Sequence, residues 1–273
     1  MVYILSLLIG FLSAFVGSIA GLGGGVILVP IMLVLSQLLE SFHWANPHNI
    51  VGISLLVMVF TGLSSSISYM RKGRVDYRSG IIFLAGSIPG GILGSWLNQF
   101  AEDDTFSLYF GLLMLILSSM FFIKKKPTEP AQLRKKWGII RTMDMDGTRY
   151  RYSYPFLGAF FLAMLVGVLS GMFGIGGGSL MVPAMILLFG FPPHIATATS
   201  MFMILFLSLI SSTTHIALGH IPWQYVWLFI PGAWIGGTAG AKVNQLLKGQ
   251  TVEWILRILL IIIGIRLIWQ GIG

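Results

Sequence analysis

Residues 21–33 read GLGGGVILVPIML, and residues 174–186 read GIGGGSLMVPAMI. The two stretches align without a gap at an offset of 153 positions (174 minus 21). Gly21, Gly23, Gly24, Gly25, Val29, Pro30 and Met32 thereby match Gly174, Gly176, Gly177, Gly178, Val182, Pro183 and Met185. Each copy ends one apolar run and begins another. Four glycines in five positions make poor helix, because glycine costs about 1 kcal/mol relative to alanine in a helix interior. The pattern predicts a helix break whose amides and carbonyls no side chain covers. A proline five residues after the last glycine loosens the helix that follows. In lipid, broken backbone survives only where protein or a water-filled cavity covers it. Two such breaks, at matching places in two halves, point to a transporter's substrate site.

The composition agrees with a membrane setting. Of 273 residues, 56% are hydrophobic and 10% charged, with a mean hydropathy of +0.87. A soluble globular protein carries roughly 25% charged residues. Apolar runs of about 20 residues recur, the length that spans a bilayer core. The 34 glycines and 8 tryptophans suit close helix packing and interfacial anchoring. The absence of cysteine rules out disulfides and thiolate chemistry. The net charge of +8 does not mark a nucleic-acid partner, since no basic face with interleaved aromatics occurs. Four Lys and Arg lie in 71–78 and nine in 124–151, so 13 of the 17 fall between apolar runs. That is how cytoplasmic loops look under the positive-inside rule. The first apolar run, from Val2, has neither a basic n-region nor a small-residue cleavage site and is read as a retained segment.

These features predict an all-α integral membrane protein with eight apolar segments in two repeats of four. The first four are 2–38, 47–70, 79–98 and 105–123, and the second four are 155–190, 194–217, 224–245 and 252–271. The opening segment of each group is too long for one span and carries the glycine break. Beyond the breaks the repeat continues at an offset of 146: Pro47-His48 meets Pro193-His194, Ser54 meets Ser200, and Ser65-Ser66 meets Ser211-Ser212. GGILGSWLNQ (90–99) meets GGTAGAKVNQ (236–245) at the same offset. The domain reading is an N-terminal membrane repeat at 1–123, a cytoplasmic basic linker at 124–153 and a C-terminal membrane repeat at 154–273.

Charge suggests the orientation of the halves. Arg71, Lys72, Arg74 and Arg78 place one loop in the cytoplasm, Glu102, Asp103 and Asp104 lie outside, and Lys124, Lys125 and Lys126 return inside. The counterpart of the basic loop, HIALGHIPWQ (215–224), has no Lys or Arg, and the counterpart of the acidic loop carries Lys248. Halves of opposite orientation produce that reversal. They need an odd number of crossings each, with the glycine-broken segment discontinuous or re-entrant. Eight plain crossings with parallel halves is the alternative, and Arg266 near the C-terminus fits it.

Freed amides at a break, with the positive end of the following half-helix, favour an anion. The candidate substrate-binding residues are therefore Gly21, Gly23, Gly24 and Gly25, with Gly174, Gly176, Gly177 and Gly178. Asn49, Ser54, Thr197, Thr199 and Ser200 join them, because hydroxyls and amides bind oxyanion oxygens without charge. For each, close helix packing or bonding to the residue's own helix is the competing role. Of the histidines, His48 and His194 are repeat-related and follow proline, which suggests a turn, while His215 is the one that titration in transport would use. No HExxH or comparable metal set occurs, and no nucleotide fingerprint or P-loop, so neither metal nor cofactor is expected. Asp76, Glu40 and Glu253 lie at or near segment ends, with no acidic residue mid-span. Cation carriers normally keep one. A small anionic substrate, the lipid bilayer as surroundings and no enzyme activity follow. A homo-oligomer is compatible with this reading.

At these residues the chain resembles the TauE/SafE family of sulfite-exporter-like permeases. The resemblance rests on the doubled GxGGG…P stretch, the Pro-His opening of the next segment and the GGxxG of the third. It covers both halves apart from the linker. It implies a multi-pass permease of a bacterial plasma (inner) membrane that carries sulfite, sulfoacetate or other organosulfonate anions. The carry-over lands on Gly21, Gly23, Gly24, Gly25 and Pro30, and on Gly174, Gly176, Gly177, Gly178 and Pro183. The uncharged 215–224 loop departs from a symmetric charged gate. An anion channel is the competing function, and a membrane-embedded assembly factor a third.

Overall fold

The computed structural model describes residues 2–101, 103–120, 138–145 and 147–247, with 254, 261 and 265 as isolated positions. The helices are α1 (Val2–Ala20), α2 (Gly25–Leu38), α3 (Pro47–Met70), α4 (Tyr77–Asn98) and α5 (Asp103–Met120), then α6 (Phe156–Phe173), α7 (Gly178–Leu187), α8 (Pro193–Ala217) and α9 (Trp223–Asn244). A hairpin of β1 (Gly138–Met145) and β2 (Thr148–Pro155) lies between α5 and α6. The all-α expectation therefore gains one two-stranded element, within the stretch read as a plain linker. The rest of that stretch and most of the eighth apolar segment, 252–271, lie outside the described residues.

Among the described residues, five helices are long and apolar enough to cross a bilayer: α1, α3, α4, α6 and α8. Of the eight apolar segments, the fourth contributes only the shorter apolar stretch Phe106–Ile116, the seventh (α9) is not among the five, and the eighth lies outside the described residues. The breaks cut each long opening segment in two. That leaves α2 with 14 residues and α7 with 10, too short at 1.5 Å per residue for a hydrocarbon core of about 30 Å. Helix α9 carries Gln224, Tyr225, Lys242 and Asn244 with three tryptophans among its 22 residues, which lowers its mean hydropathy.

Repeat-related helices pack in matching pairs. A methyl group on Gly90 of α4 would lie 2.1 Å from the Met164 carbonyl oxygen of α6. One on Gly236 of α9, its repeat partner, would lie 2.3 Å from the Phe11 carbonyl oxygen of α1. Gly94 and Gly240 repeat the pattern at 1.9 Å and 2.2 Å, from Val168 and Phe15. Each pair of helices thus meets backbone to backbone, as small residues allow. Helices α3 and α8 occupy the centre and are the most buried of the long helices. The perimeter is apolar: Leu8 and Leu12 of α1, Ile92 and Leu93 of α4, and Trp227 and Ile235 of α9 are exposed.

Candidate functional site

Helix α1 stops where the first glycine run begins. Gly21 takes a left-handed φ of 76°, and the Leu22 amide reaches back to the Gly17 carbonyl at 2.7 Å, a glycine-dependent helix stop. Gly23 and Gly24 continue with φ of 84° and 99° before α2 starts. The second run follows the same course at Gly174 and Gly176, with φ of 65° and 69°. It departs at Gly177, whose φ of −54° is ordinary right-handed backbone. No side chain caps the N-terminus of α2 or α7.

The two breaks face each other. A methyl group on Gly25 would lie 2.1 Å from the Gly174 carbonyl oxygen, and one on Gly178 would lie 1.9 Å from that of Gly21. Each half-helix therefore starts against the carbonyl at the other break. The hydroxyls are exchanged between halves as well. Ser200 of α8 donates to the Gly21 carbonyl at 2.6 Å, and Ser54 of α3 donates to the Gly174 carbonyl at 2.6 Å. Thr197 lies against the first break, its Cα 2.9 Å from where a Gly21 methyl would sit. Val51, its repeat partner, lies against Gly174 in the same way at 3.0 Å. Met58 and Ile204, also repeat-related, close the space beside Gly23. All of Gly17–Pro30 is buried, as is all of Phe173–Ser179. The amides at the start of α2 and α7 are closed off from the surroundings in this structure.

Two of the sequence candidates sit elsewhere. The Thr199 hydroxyl accepts from the Asp76 amide at 3.0 Å and belongs to the start of α4. Asn49 donates from its side chain to the Trp44 carbonyl at 2.9 Å, while its own amide is capped by Asn46. It belongs to the first turn of α3. Ser54, Thr197 and Ser200 are the polar side chains of the set that meet the glycines.

The sequence reading missed a polar centre at the N-terminus of α4. Asp76 is 3% exposed and caps that helix through the Ser79 amide at 3.3 Å. Arg141 of β1 grips its carboxylate with two bonds, at 2.8 and 3.2 Å. The Tyr152 hydroxyl of β2 donates to it at 2.7 Å, and Tyr154 donates to the Ser79 hydroxyl at 2.8 Å. Strand register sets this up, because Arg141 and Tyr152 are cross-strand partners. The rings pack against Phe83 of α4 and against Phe189 and Phe191, which follow α7. Burial works against the Asp76 charge, but the Arg141, Ser79 and Tyr152 bonds outweigh it and hold the carboxyl below its ordinary range. Burial first, then the bond to that carboxylate, pushes the Tyr152 hydroxyl upward. The hairpin is a latch across the α4 N-terminus and the end of α7. Its sequence signal is Asp146-Gly147 followed by alternating tyrosines, a hairpin signature.

The buried, doubled break is what the comparison with known proteins bears on. The profile of the sulfite exporter TauE/SafE family matches residues 6–267. The chain belongs to this family. It is 44% identical over 273 residues to the probable membrane transporter protein YunE of Bacillus subtilis (strain 168), covering 100% of this chain and 99% of that one. A probable membrane transporter protein of Xylella fastidiosa (strain Temecula1 / ATCC 700964) is 25% identical, with 96% and 93% covered. The probable membrane transporter protein YfcA of Escherichia coli (strain K12) is 23% identical, with 89% and 80% covered. No solved structure matches the chain. It is thus a multi-pass membrane protein of a transporter family.

Proposed function

We propose that this chain is a secondary carrier of small anions, sulfur-containing oxyanions or organosulfonates, which moves its substrate by parting and re-forming the contact between the two glycine breaks. One observation carries this reading. Two uncapped half-helix N-termini start against each other's break, each with a serine hydroxyl from the opposite half. Helix N-termini and hydroxyls suit an oxyanion. The breaks are shut in the present conformation, so the substrate needs a conformational step, which favours a carrier over a channel. The two halves run in opposite directions through the membrane, as the loss of charge from the 71–78 loop to its 215–224 counterpart suggests. A plasma-membrane location goes with this role.

The test is uptake into proteoliposomes from a panel of sulfite, thiosulfate, sulfate and organosulfonates. Saturation and counterflow mark a carrier, and linear flux without counterflow marks a channel. Transport of an organic cation with no anion moved would refute the reading. For orientation, single cysteines replace Gly73 and Gly219, where nothing lies within 4 Å of the new side chain. An impermeant thiol reagent labels them from opposite sides if the halves are inverted.

A further inference from the structure

The last turn of α1 and of α6, just before each break, is tied down by matching side chains. Asn98 of α4 donates to the Met172 carbonyl at 2.8 Å, and Asn244 of α9 donates to its repeat partner, the Ile19 carbonyl, at 2.5 Å. One residue earlier on α1, the Tyr69 hydroxyl donates to the Ser18 carbonyl at 2.8 Å. At the matching place on α6 stands a histidine. His215 Nε2 bonds the Gly171 carbonyl at 3.3 Å. Its neighbour differs too, since His220 stands where the first half has Arg74. The helix before the first break is tethered by a tyrosine, the helix before the second by an imidazole.

The imidazoles form a chain. His215 Nδ1 lies 3.1 Å from His220 Nδ1, and the His220 ring stacks on His48 with centroids 5.0 Å apart. His48 Nδ1 bonds Asn98 Oδ1 at 3.1 Å. The acceptors fix the tautomers. A carbonyl only accepts, so neutral His215 carries its proton on Nε2 and accepts at Nδ1. His220 then donates from Nδ1. Asn98 already donates its amide to Met172, so His48 also donates from Nδ1. The Nε2 lone pairs of His48 and His220 remain, and either takes a proton without breaking a bond. Stacked rings at this distance disfavour a second proton. No other charged group faces the cluster among the described residues. From α6 and α4 it meets only the Gly171 carbonyl and Asn98, and Glu40 and His43 of the α2–α3 loop are exposed. Burial first, then the neighbouring His48, holds the His220 imidazole below its ordinary value.

We propose that His48, His215 and His220 form a proton-binding site coupled to the second glycine break, so that a proton travels with the anion. The cation would be joined to the carbonyl end of α6 through one side chain, from His220 through His215 to Gly171 and from His48 through Asn98 to Met172. An anion entering the break raises the affinity of the cluster for a proton, and the proton raises the affinity for the anion by the same factor. The proton comes from the aqueous phase and leaves to it, with no bond made or broken elsewhere. This rests on the anion-carrier reading of the breaks, and the test separates the two.

The first arm uses no anion. Spectra of 15N-histidine-labelled protein are followed from about pH 5 to pH 8. His48 and His220 are expected to titrate as a mutually dependent pair. Independent titration, or none, overturns the proposal. The second arm uses methanesulfonate, whose charge is constant over this range, in proteoliposomes with an acidic exterior. Accumulation of about tenfold per pH unit is expected for one proton per anion. The double variant His215→Tyr, His220→Arg installs the first half's tether and should exchange methanesulfonate without accumulating it. His220→Gln, at a half-buried position, gives the same readout if the double variant does not fold. Transport unmoved by the gradient overturns the proton site and leaves the carrier reading intact. Accumulation that persists in both variants overturns it as well. If no protein moves methanesulfonate, the anion reading fails and the first arm alone decides the proton site.

Discussion

Helix α4 begins at a buried carboxylate, and its repeat partner α9 begins at an aromatic stack. Position 76 is Asp in the first half, and its counterpart at 222 is Pro. Position 79 is Ser, bonded by Tyr154 of the hairpin, and its counterpart Tyr225 stacks on Trp44 with centroids 3.9 Å apart. The contact between the two breaks is more nearly matched, although Val51 stands where the other half has Thr197 and Gly177 is right-handed where Gly24 is left-handed. Ser54 and Ser200 make the same bond across the same distance, and Asn98 and Asn244 donate to matching carbonyls. The difference has a physical source. Each break is the packing surface of the other, so a change in one copy must fit the other copy. The helix ends meet different partners, a hairpin in one case and the α2–α3 loop in the other, and nothing holds them alike. The molecule thus pairs a nearly matched contact between the breaks with unlike contacts at the starts of α4 and α9.

The largest effects should come from breaking the match at the centre. Alanine at Gly25 or Gly178 puts a methyl group within 2.1 or 1.9 Å of a backbone oxygen that no rotamer change can move. Each should destabilise at the upper end of about 1–3 kcal/mol and abolish transport to the same degree. Normal activity in either variant would remove the breaks from the mechanism. The neighbouring pair should behave unequally. Gly24 has a left-handed φ of 99° and would meet the Ser13 carbonyl at 2.7 Å. Gly177 is right-handed and would meet side chains alone, Leu207 at 2.9 Å and Val166 at 3.3 Å. Gly24→Ala should cost about 2 kcal/mol, and Gly177→Ala less than half of that, as thermal unfolding in detergent would measure.

The contacts at the starts of α4 and α9 come next in size. Asp76→Ala leaves Arg141 and Tyr152 without their acceptor. A wholly buried pair would cost about 3–5 kcal/mol, but the Arg141 side chain is 21% exposed, so about 2 kcal/mol is expected. Trp44→Ala removes one stack, and about 1 kcal/mol is expected. The two contacts also separate by pH. The Asp76 carboxyl is held below its ordinary value, so its contribution is complete above about pH 4 and is lost as the pH falls through the folded value. The Trp44–Tyr225 stack has no such dependence. Acid unfolding of Asp76→Asn should therefore be flatter than that of the unaltered chain, and Trp44→Ala should run parallel to it. A latch that loosens at neutral pH would contradict the Asp76 geometry.

The breaks were legible in the sequence because glycine and proline patterns are statements about local backbone. The offset of 146 likewise placed Ser54 and Ser200 at equivalent points. What it could not give was direction: each serine reaches the opposite half's break, and spacing along a chain does not say across which interface a side chain points. Thr199 shows the same limit. It is one residue from Ser200, about 100° around the helix, and that turn aims it at Asp76. The hairpin went unread for another reason. A search for long apolar runs treats 138–155 as leftover polar chain. Yet Tyr152 and Tyr154 share one strand face, and both are 1% exposed.

The smallest effect concerns the exchanged hydroxyls. Ser54→Ala and Ser200→Ala each leave a buried glycine carbonyl without its donor. The net value of such a bond is about 1 kcal/mol, and the two variants should lose that amount equally, since the bonds match in length and burial. The two carbonyls sit within one contact, so the losses should not add. A double-mutant cycle should return a coupling of about 0.5 kcal/mol or more. Binding distinguishes two roles. If the hydroxyls turn to the substrate when the breaks part, each variant also loses anion affinity per folded molecule, by up to about tenfold for one hydrogen bond of this strength. If they only clasp the closed contact, affinity per folded molecule is unchanged while stability falls. Equal stability losses with unequal affinity losses would show that the substrate sits nearer one break than the other, and that the matched centre is matched in packing but not in binding.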